Sequence, residues 1–102
     1  MIRRDGSRMI VGGPVTLANV RRVVEEGERQ LDEGVRQVDL SEVSEMDSSL
    51  LAALFAWLRH ARRRDHDIDF LNLPDALRTI ARLYGVDALL PARDAGPAQP
   101  RH

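Results

Sequence analysis

The chain has 102 residues, of which 43% are hydrophobic and 30% are charged, a composition typical of a single folded domain. The net charge of -1 gives no electrostatic reason to expect nucleic acid as a partner, and the lack of cysteine excludes disulfides and cysteine metal sites. No stretch has the zones of a signal peptide or the length of a membrane span, so we expect a cytoplasmic protein without direct membrane insertion.

The first half of the chain predicts two strands separated by a helix. Residues 1–8 are polar and are expected to be flexible, whereas the apolar run 8–13, with two glycines and a proline at its end, predicts a strand and a turn. A helix is predicted from Thr16, a good N-cap, to the glycine at position 34. Residues 35–40 alternate apolar and polar side chains, as in a half-buried strand. The apolar residues that recur at helical spacing are Leu17, Val20, Val24 and Leu31.

The second half predicts a long helix, a third strand and a third helix. The long helix runs from about Ser49 to Arg64, and residues 67–73 form the strand. Pro74 suits the first turn of the last helix, which ends near Gly85. Residues 92–102 are rich in proline, alanine and glycine, so we expect a disordered tail. The predicted buried faces are Leu50, Leu51, Leu54, Phe55 and Leu58 in the long helix, and Leu77, Ile80, Ala81 and Tyr84 in the last one.

The predicted order of elements is strand, helix, strand, helix, strand, helix, within a domain that spans residues 9–91. Connections between parallel neighbours are right-handed, so we predict an α/β fold in which helices pack on a small mixed sheet. In such folds the functional loops lie at the carboxyl ends of the strands. Residues 12–15 and 41–49 follow two predicted strands, and the sequence therefore predicts a functional corner there.

Three small polar residues in a row, Asp47, Ser48 and Ser49, precede the apolar run of the long helix. Any of them could cap the helix, an interaction worth about 1 kcal/mol, although a helix needs only one cap. A nucleophilic serine is disfavoured, because His60 lies further along the same helix, about 18 Å from Ser48 at a rise of about 1.5 Å per residue. No Gly-x-Ser-x-Gly elbow is present either. A surface that a partner protein recognises is the third interpretation.

Other chemistry has little support in the sequence. His60 and His66 are not separated by the four residues that would place both on one helix face, so they do not indicate a metal site. The glycine-rich turn before Val15 lacks the lysine of a phosphate-binding loop. We therefore predict a non-enzymatic protein with no catalytic residues, no metal and no cofactor.

Two stretches resemble a known family. The segment VDLSEVSEMDSSLLAALFAWLRHARRR (38–64) resembles the centre of STAS domains, the sulfate transporter and anti-sigma factor antagonist family, in which an aspartate followed by Ser or Thr precedes a helix. The segment LPDALRTIARLYGVDALLP (73–91) is similar to the C-terminal half of the MlaB branch, the small STAS subunits of phospholipid ABC transporters. The resemblance covers about residues 9–91 and implies a STAS-like fold.

The resemblance also implies a function. It implies a cytoplasmic accessory subunit that binds the ATPase of an ABC complex with an inner-membrane permease, in maintenance of outer-membrane lipid asymmetry. The alternative is an anti-sigma factor antagonist that is switched by phosphorylation of Ser48. Leu50 stands where the family usually has glycine, and its side chain would either hinder a kinase or add to a permanent contact. The expected partner-binding residues are Pro14, Val15, Asp47, Ser48, Ser49 and Leu50.

Overall fold

The structure is a computed structural model that describes residues 1–94 of the chain. These residues form a five-stranded sheet, three α-helices and one short 3-10 helix. The strands are β1 (Ile2–Asp5), β2 (Arg8–Val15), β3 (Gln37–Met46), β4 (Asp69–Leu71) and β5 (Ala92–Arg93), and the helices are α1 (Val20–Asp32), α2 (Ser49–Arg62), α3 (Asp75–Leu83) and the 3-10 helix Asp87–Leu89.

The sheet keeps the strands in chain order, β1-β2-β3-β4-β5. β1 runs antiparallel to β2, and the pairs β2–β3, β3–β4 and β4–β5 are all parallel. Because each parallel connection is right-handed and advances in the same direction, the helices lie on one face of the sheet. α2 packs between α1 and α3. The predicted α/β fold with a small mixed sheet is confirmed.

The two faces of the sheet differ in what they bury. Met9, Val38 and Phe70 are partners in register on three neighbouring strands, and all three are fully buried in the hydrophobic core. The next row carries Asp39, which the alternation of apolar and polar residues predicted to face water. Only 4% of Asp39 is exposed, since its carboxylate accepts hydrogen bonds from the Ser41 amide (2.9 Å) and from Asn72 (3.2 Å). Both faces of the sheet are therefore buried at its centre: Met9, Val38 and Phe70 lie on one face, and Asp39 lies on the other.

Both ends of the domain extend beyond the predicted limits. The N-terminal residues that we expected to be flexible form β1, and a turn at Gly6, with φ of +65°, joins it to β2. The loop of this hairpin is Gly6-Ser7, between the register partners Asp5 and Arg8, and a glycine in the first loop position is a hairpin signal that the interpretation of residues 1–8 overlooked. At the other end Ala92–Arg93 pairs with β4, so the sheet includes residues that we had assigned to the tail. The rest of the expected tail, residues 95–102, lies outside the described residues.

The core between α1 and α2 is built around Trp57, which the predicted buried face omitted. Trp57 is fully buried, and its indole N–H donates to the carbonyl of Val24 at 3.1 Å. Gly27 faces the same ring: a Cβ atom at this position would overlap Nε1 and lie 2.5 Å from Cε2. Phe55, which we had placed in the buried face, is only partly buried at the edge of the core. A glycine in the middle of α1 thus makes room for the indole.

Gly27→Ala is expected to destabilise the fold, although alanine is the better helix former by about 1 kcal/mol. Trp57 is enclosed on all sides, so overpacking should cost about 1–3 kcal/mol in the free energy of unfolding. Urea denaturation measures the change, and the same substitution in a Trp57→Phe background is the control. The clash atoms are absent in that background, so the cost should fall by more than about 1 kcal/mol. A stabilised Gly27→Ala protein would contradict this packing.

Candidate functional site

Two loops meet at the edge of the sheet where the parallel strands end. One loop connects β2 to α1 through residues 16–19, and the other connects β3 to α2 through residues 47–48. β2 and β3 pair up to their last residues, since Val15 is the register partner of Met46. The two loops therefore leave the sheet side by side. We call the surface formed by residues 14–19 and 47–49 the loop corner.

The carboxylate of Asp47 joins the two loops. Its Oδ1 accepts a hydrogen bond from the Ser49 amide at 2.8 Å, and its Oδ2 accepts one from the Leu17 amide at 3.0 Å. The bonds from Leu17 and Ser49 lower the pKa of Asp47 below its usual value, so its side chain is ionised at neutral pH. Asp47 is thus the residue that caps α2, and it also fixes the β2–α1 loop.

The β2–α1 loop is held in one shape by its own side chains. Asn19 accepts a hydrogen bond from the Thr16 amide at 3.0 Å, and its side-chain amide donates to the Pro14 carbonyl at 2.9 Å. The Thr16 hydroxyl accepts from the Ala18 amide at 3.3 Å. α1 consequently begins at Val20 rather than just after Thr16. Residues 16–19 form a closed turn, where a first helical turn was predicted.

Ser48 is exposed and has no role in capping. Its backbone carbonyl accepts hydrogen bonds from the amides of Leu51 and Ala52, as the first carbonyl of a helix does. Its hydroxyl makes no hydrogen bond with any residue in the range 1–94. The cap interpretation of the three polar residues therefore applies to Asp47, and the Ser48 hydroxyl is available to another molecule.

Two of the expected partner-binding residues do not reach the surface. Val15 and Leu50 are both fully buried in the hydrophobic core. Val15 ends β2 with its side chain towards the helices, and Leu50 lies on the side of α2 that packs on the sheet. Neither side chain is accessible to a partner, which corrects the prediction for these two positions. Pro14 and Ser48 are exposed, and Asp47 and Ser49 are half-buried.

The sequence interpretation missed one prominent residue of the loop corner. Leu17 is 79% exposed, and among the large apolar residues in the range 1–94 only Met1 is more exposed. We had placed it on the buried face of α1 because it matches the helical spacing. Asn19 takes the N-cap position of α1, but its side chain bonds to Thr16 and Pro14 in the loop and not to the first helical amides. With the helix beginning at Val20, Leu17 lies in the loop and points outwards.

The histidine on α2 contacts α1 and is not a partner for Ser48. His60 Nε2 lies 2.8 Å from Asp32 Oδ1, and Arg64 Nε lies 3.1 Å from the same oxygen. The hydrogen bond from His60 lowers the pKa of Asp32. These groups tie the end of α1 to the end of α2.

No group of three or more His, Cys, Asp or Glu side chains within residues 1–94 could hold a metal ion. In the same part of the chain, no helix combines the length and the apolar character that a membrane crossing needs.

Asp47→Asn is expected to destabilise the domain in a pH-dependent way. The folded-state pKa of Asp47 is depressed, so its contribution to stability is present above the unfolded pKa, about 3.9, and is lost as pH falls through the folded pKa. The gap between wild type and variant in urea unfolding should be constant from pH 7 to about pH 5 and shrink below about pH 4. Asp67→Asn, at an exposed carboxylate outside this hydrogen-bond system, is the control. A gap of equal size at every pH would contradict the bridging role.

The chain resembles known proteins in both sequence and structure. A family model described as "Mlab, STAS domain" matches residues 2–91, whereas no curated protein matches the chain. The structure of the anti-sigma factor antagonist SpoIIAA in its unphosphorylated form is similar, with a TM-score of 0.71 and 15% identity over 94% of this chain and 87% of that chain. The Bacillus cell fate determinant SpoIIAA in the phosphorylated form gives a TM-score of 0.67 and 15% identity over 94% and 90%. At such low identity, the structural likeness shows a shared fold.

Proposed function

The chain belongs to the MlaB-type STAS domain family, and from this membership we propose that it is a non-enzymatic accessory subunit of a phospholipid-transporting ABC complex. In this proposal it binds the cytoplasmic ATPase subunit, which is assembled with an inner-membrane permease. It is therefore peripheral to the inner membrane through its partner, and it supports maintenance of outer-membrane lipid asymmetry in a Gram-negative cell. It needs no cofactor.

One observation carries the proposal: Ser48 is exposed next to Asp47, whose carboxylate accepts hydrogen bonds from both loops of the corner. Asp47 bridges two loops, and the β2–α1 loop closes on itself through Asn19. A surface with a fixed shape loses little conformational entropy when it binds, which favours a specific protein contact. Catalysis by Ser48 has no support, because the nearest histidine on the same helix, His60, is engaged with Asp32.

An anti-sigma factor antagonist is the second candidate, and the exposed Ser48 hydroxyl favours it. A phosphate on Ser48 would lie at the N-terminus of α2, where the helix dipole and the first-turn amides tolerate negative charge. We expected the Leu50 side chain either to hinder a kinase or to add to a permanent contact, but it is fully buried and leaves the approach to Ser48 open. The names of the similar solved structures agree with this role. The family match to the MlaB branch favours the transporter.

Co-purification distinguishes the two candidates. The tagged full-length chain is expressed with the ABC ATPase and permease subunits of its own genome and, separately, with that genome's anti-sigma-type serine kinases. We expect a stable complex with the ATPase. We also expect that incubation with a kinase and ATP does not add the mass of a phosphate group, about 80 Da, to Ser48. If the chain does not bind the ATPase but is phosphorylated by a kinase, the transporter role is wrong and the second candidate is supported.

A further inference from the structure

The loop corner holds an exposed leucine on a rigid backbone. The Leu17 amide is bound by Asp47, and the residues on either side of it are fixed by the hydrogen bonds of Thr16 and Asn19. Its exposure is therefore a property of an ordered loop. A large apolar side chain that is held in water gains free energy only when another surface covers it, since each buried Å² contributes about 25 cal/mol.

Two arginines stand next to Leu17 without a charge partner. Arg21 and Arg22 are exposed, border the same groove as Leu17, and form no ion pair with any residue in the range 1–94. Both lie in the first turn of α1, which has no acidic residue, and positive charge at a helix N-terminus is unfavourable. Glu25, one turn later, is the single acidic side chain of the groove. Glu25 and Glu26 lie three or four residues further along the helix but form no ion pair with either arginine within residues 1–94, so both positive charges are open to a partner.

From these two observations we infer that Leu17 is the apolar anchor of the contact with the ATPase subunit, and that it enters an apolar pocket bordered by carboxylates that face Arg21 and Arg22. This inference rests on the proposed function and names the partner surface that it requires. Asp47 places Leu17 and Ser48 on the same surface, because its carboxylate accepts hydrogen bonds from the Leu17 amide and from the amide of Ser49, the residue after Ser48. Well-packed apolar anchors at the centre of an interface carry most of its binding energy.

Leu17→Ala in the full-length chain tests the anchor. Removing a leucine that is covered on binding should weaken the affinity for the ATPase subunit by about 10- to 100-fold in isothermal titration calorimetry. The thermal melt of the isolated chain should not change, because Leu17 is already exposed. Leu83 is equally exposed (77%) at the end of α3, which lies at the opposite edge of the sheet. Leu83→Ala is therefore the matched control and should bind as wild type does.

Charge reversal tests the predicted chemistry of the partner. Arg21→Glu combined with Arg22→Glu should slow association with the ATPase at low salt by about tenfold, and the difference should shrink at high salt. If Leu17→Ala binds like wild type while the wild-type complex is intact, the anchor inference is overturned and the proposed function stands. If the wild-type chain does not bind the ATPase at all, both fall. If the double variant associates with the ATPase as fast as wild type at low salt, the acidic border of the pocket is overturned.

Discussion

Ser48→Asp should leave the isolated chain folded and should break its complex with the ATPase subunit. The Ser48 hydroxyl makes no hydrogen bond within residues 1–94, and an aspartate at the start of α2 is favoured by the helix dipole, so the fold loses nothing. In the complex, the new carboxylate would be desolvated beside the ionised Asp47. A buried charge without a partner costs about 3–5 kcal/mol, which corresponds to a loss of affinity of more than about a hundredfold.

The alanine variant separates loss of a contact from gain of a charge. Ser48→Ala can lose at most one hydrogen bond to the partner, worth about 0.5–1.5 kcal/mol, so affinity should fall in the order wild type, Ala, Asp. Ser7→Asp makes the same change at an exposed serine in the β1–β2 hairpin, which lies at the opposite end of β2 from the loop corner. It should bind like wild type. Co-purification of each variant with the ATPase, together with a thermal melt, gives the result. If Ser48→Asp binds as well as wild type, Ser48 has no part in the interface.

Leu54→Ala is expected to give the largest loss of stability among the substitutions considered. Leu54 is fully buried on the side of α2 that packs on the sheet, as the sequence predicted. Truncation removes apolar contacts and leaves a cavity, which together cost about 2–5 kcal/mol in the free energy of unfolding. For a domain with a total stability of about 5–15 kcal/mol this is a large share.

Urea denaturation of the full-length chain measures the change at Leu54. Leu83→Ala removes the same atoms from an exposed position and should shift the free energy of unfolding by less than about 0.5 kcal/mol. The difference between the two variants therefore reports burial, because the chemistry of the change is identical. A shift at Leu54 as small as that at Leu83 would mean that α2 packs with another face towards the sheet.

Local sequence signals were sufficient to place the long elements but not all of their limits, since α1 begins at Val20 and β3 continues to Met46, beyond the predicted end at residue 40. The apolar spacing of α2 predicted its start at Ser49, and Pro74 marked the beginning of α3. The short strands β1 and β5 were missed: β1 because the hairpin signal at Gly6 was overlooked, and β5 because two residues carry too little periodicity to be seen without a neighbour. Tyr84 shows the same limit at a helix end: α3 stops at Leu83, and Tyr84 is 66% exposed where the spacing predicted burial.

Local sequence signals are enough to predict the α/β order of the main elements and the position of the polar triplet after β3, because strand and helix periodicity and turn residues act over a few neighbours. Tertiary structure decided which side chains of the triplet region are available. The bond between the Leu17 amide and Asp47 joins residues 30 positions apart, and it exists only because β2 and β3 are parallel neighbours. The same pairing turns Val15 inwards, and the packing of α2 on the sheet buries Leu50. The two side chains that we propose for contact with a partner are Ser48, which the sequence predicted, and Leu17, which the fold exposes.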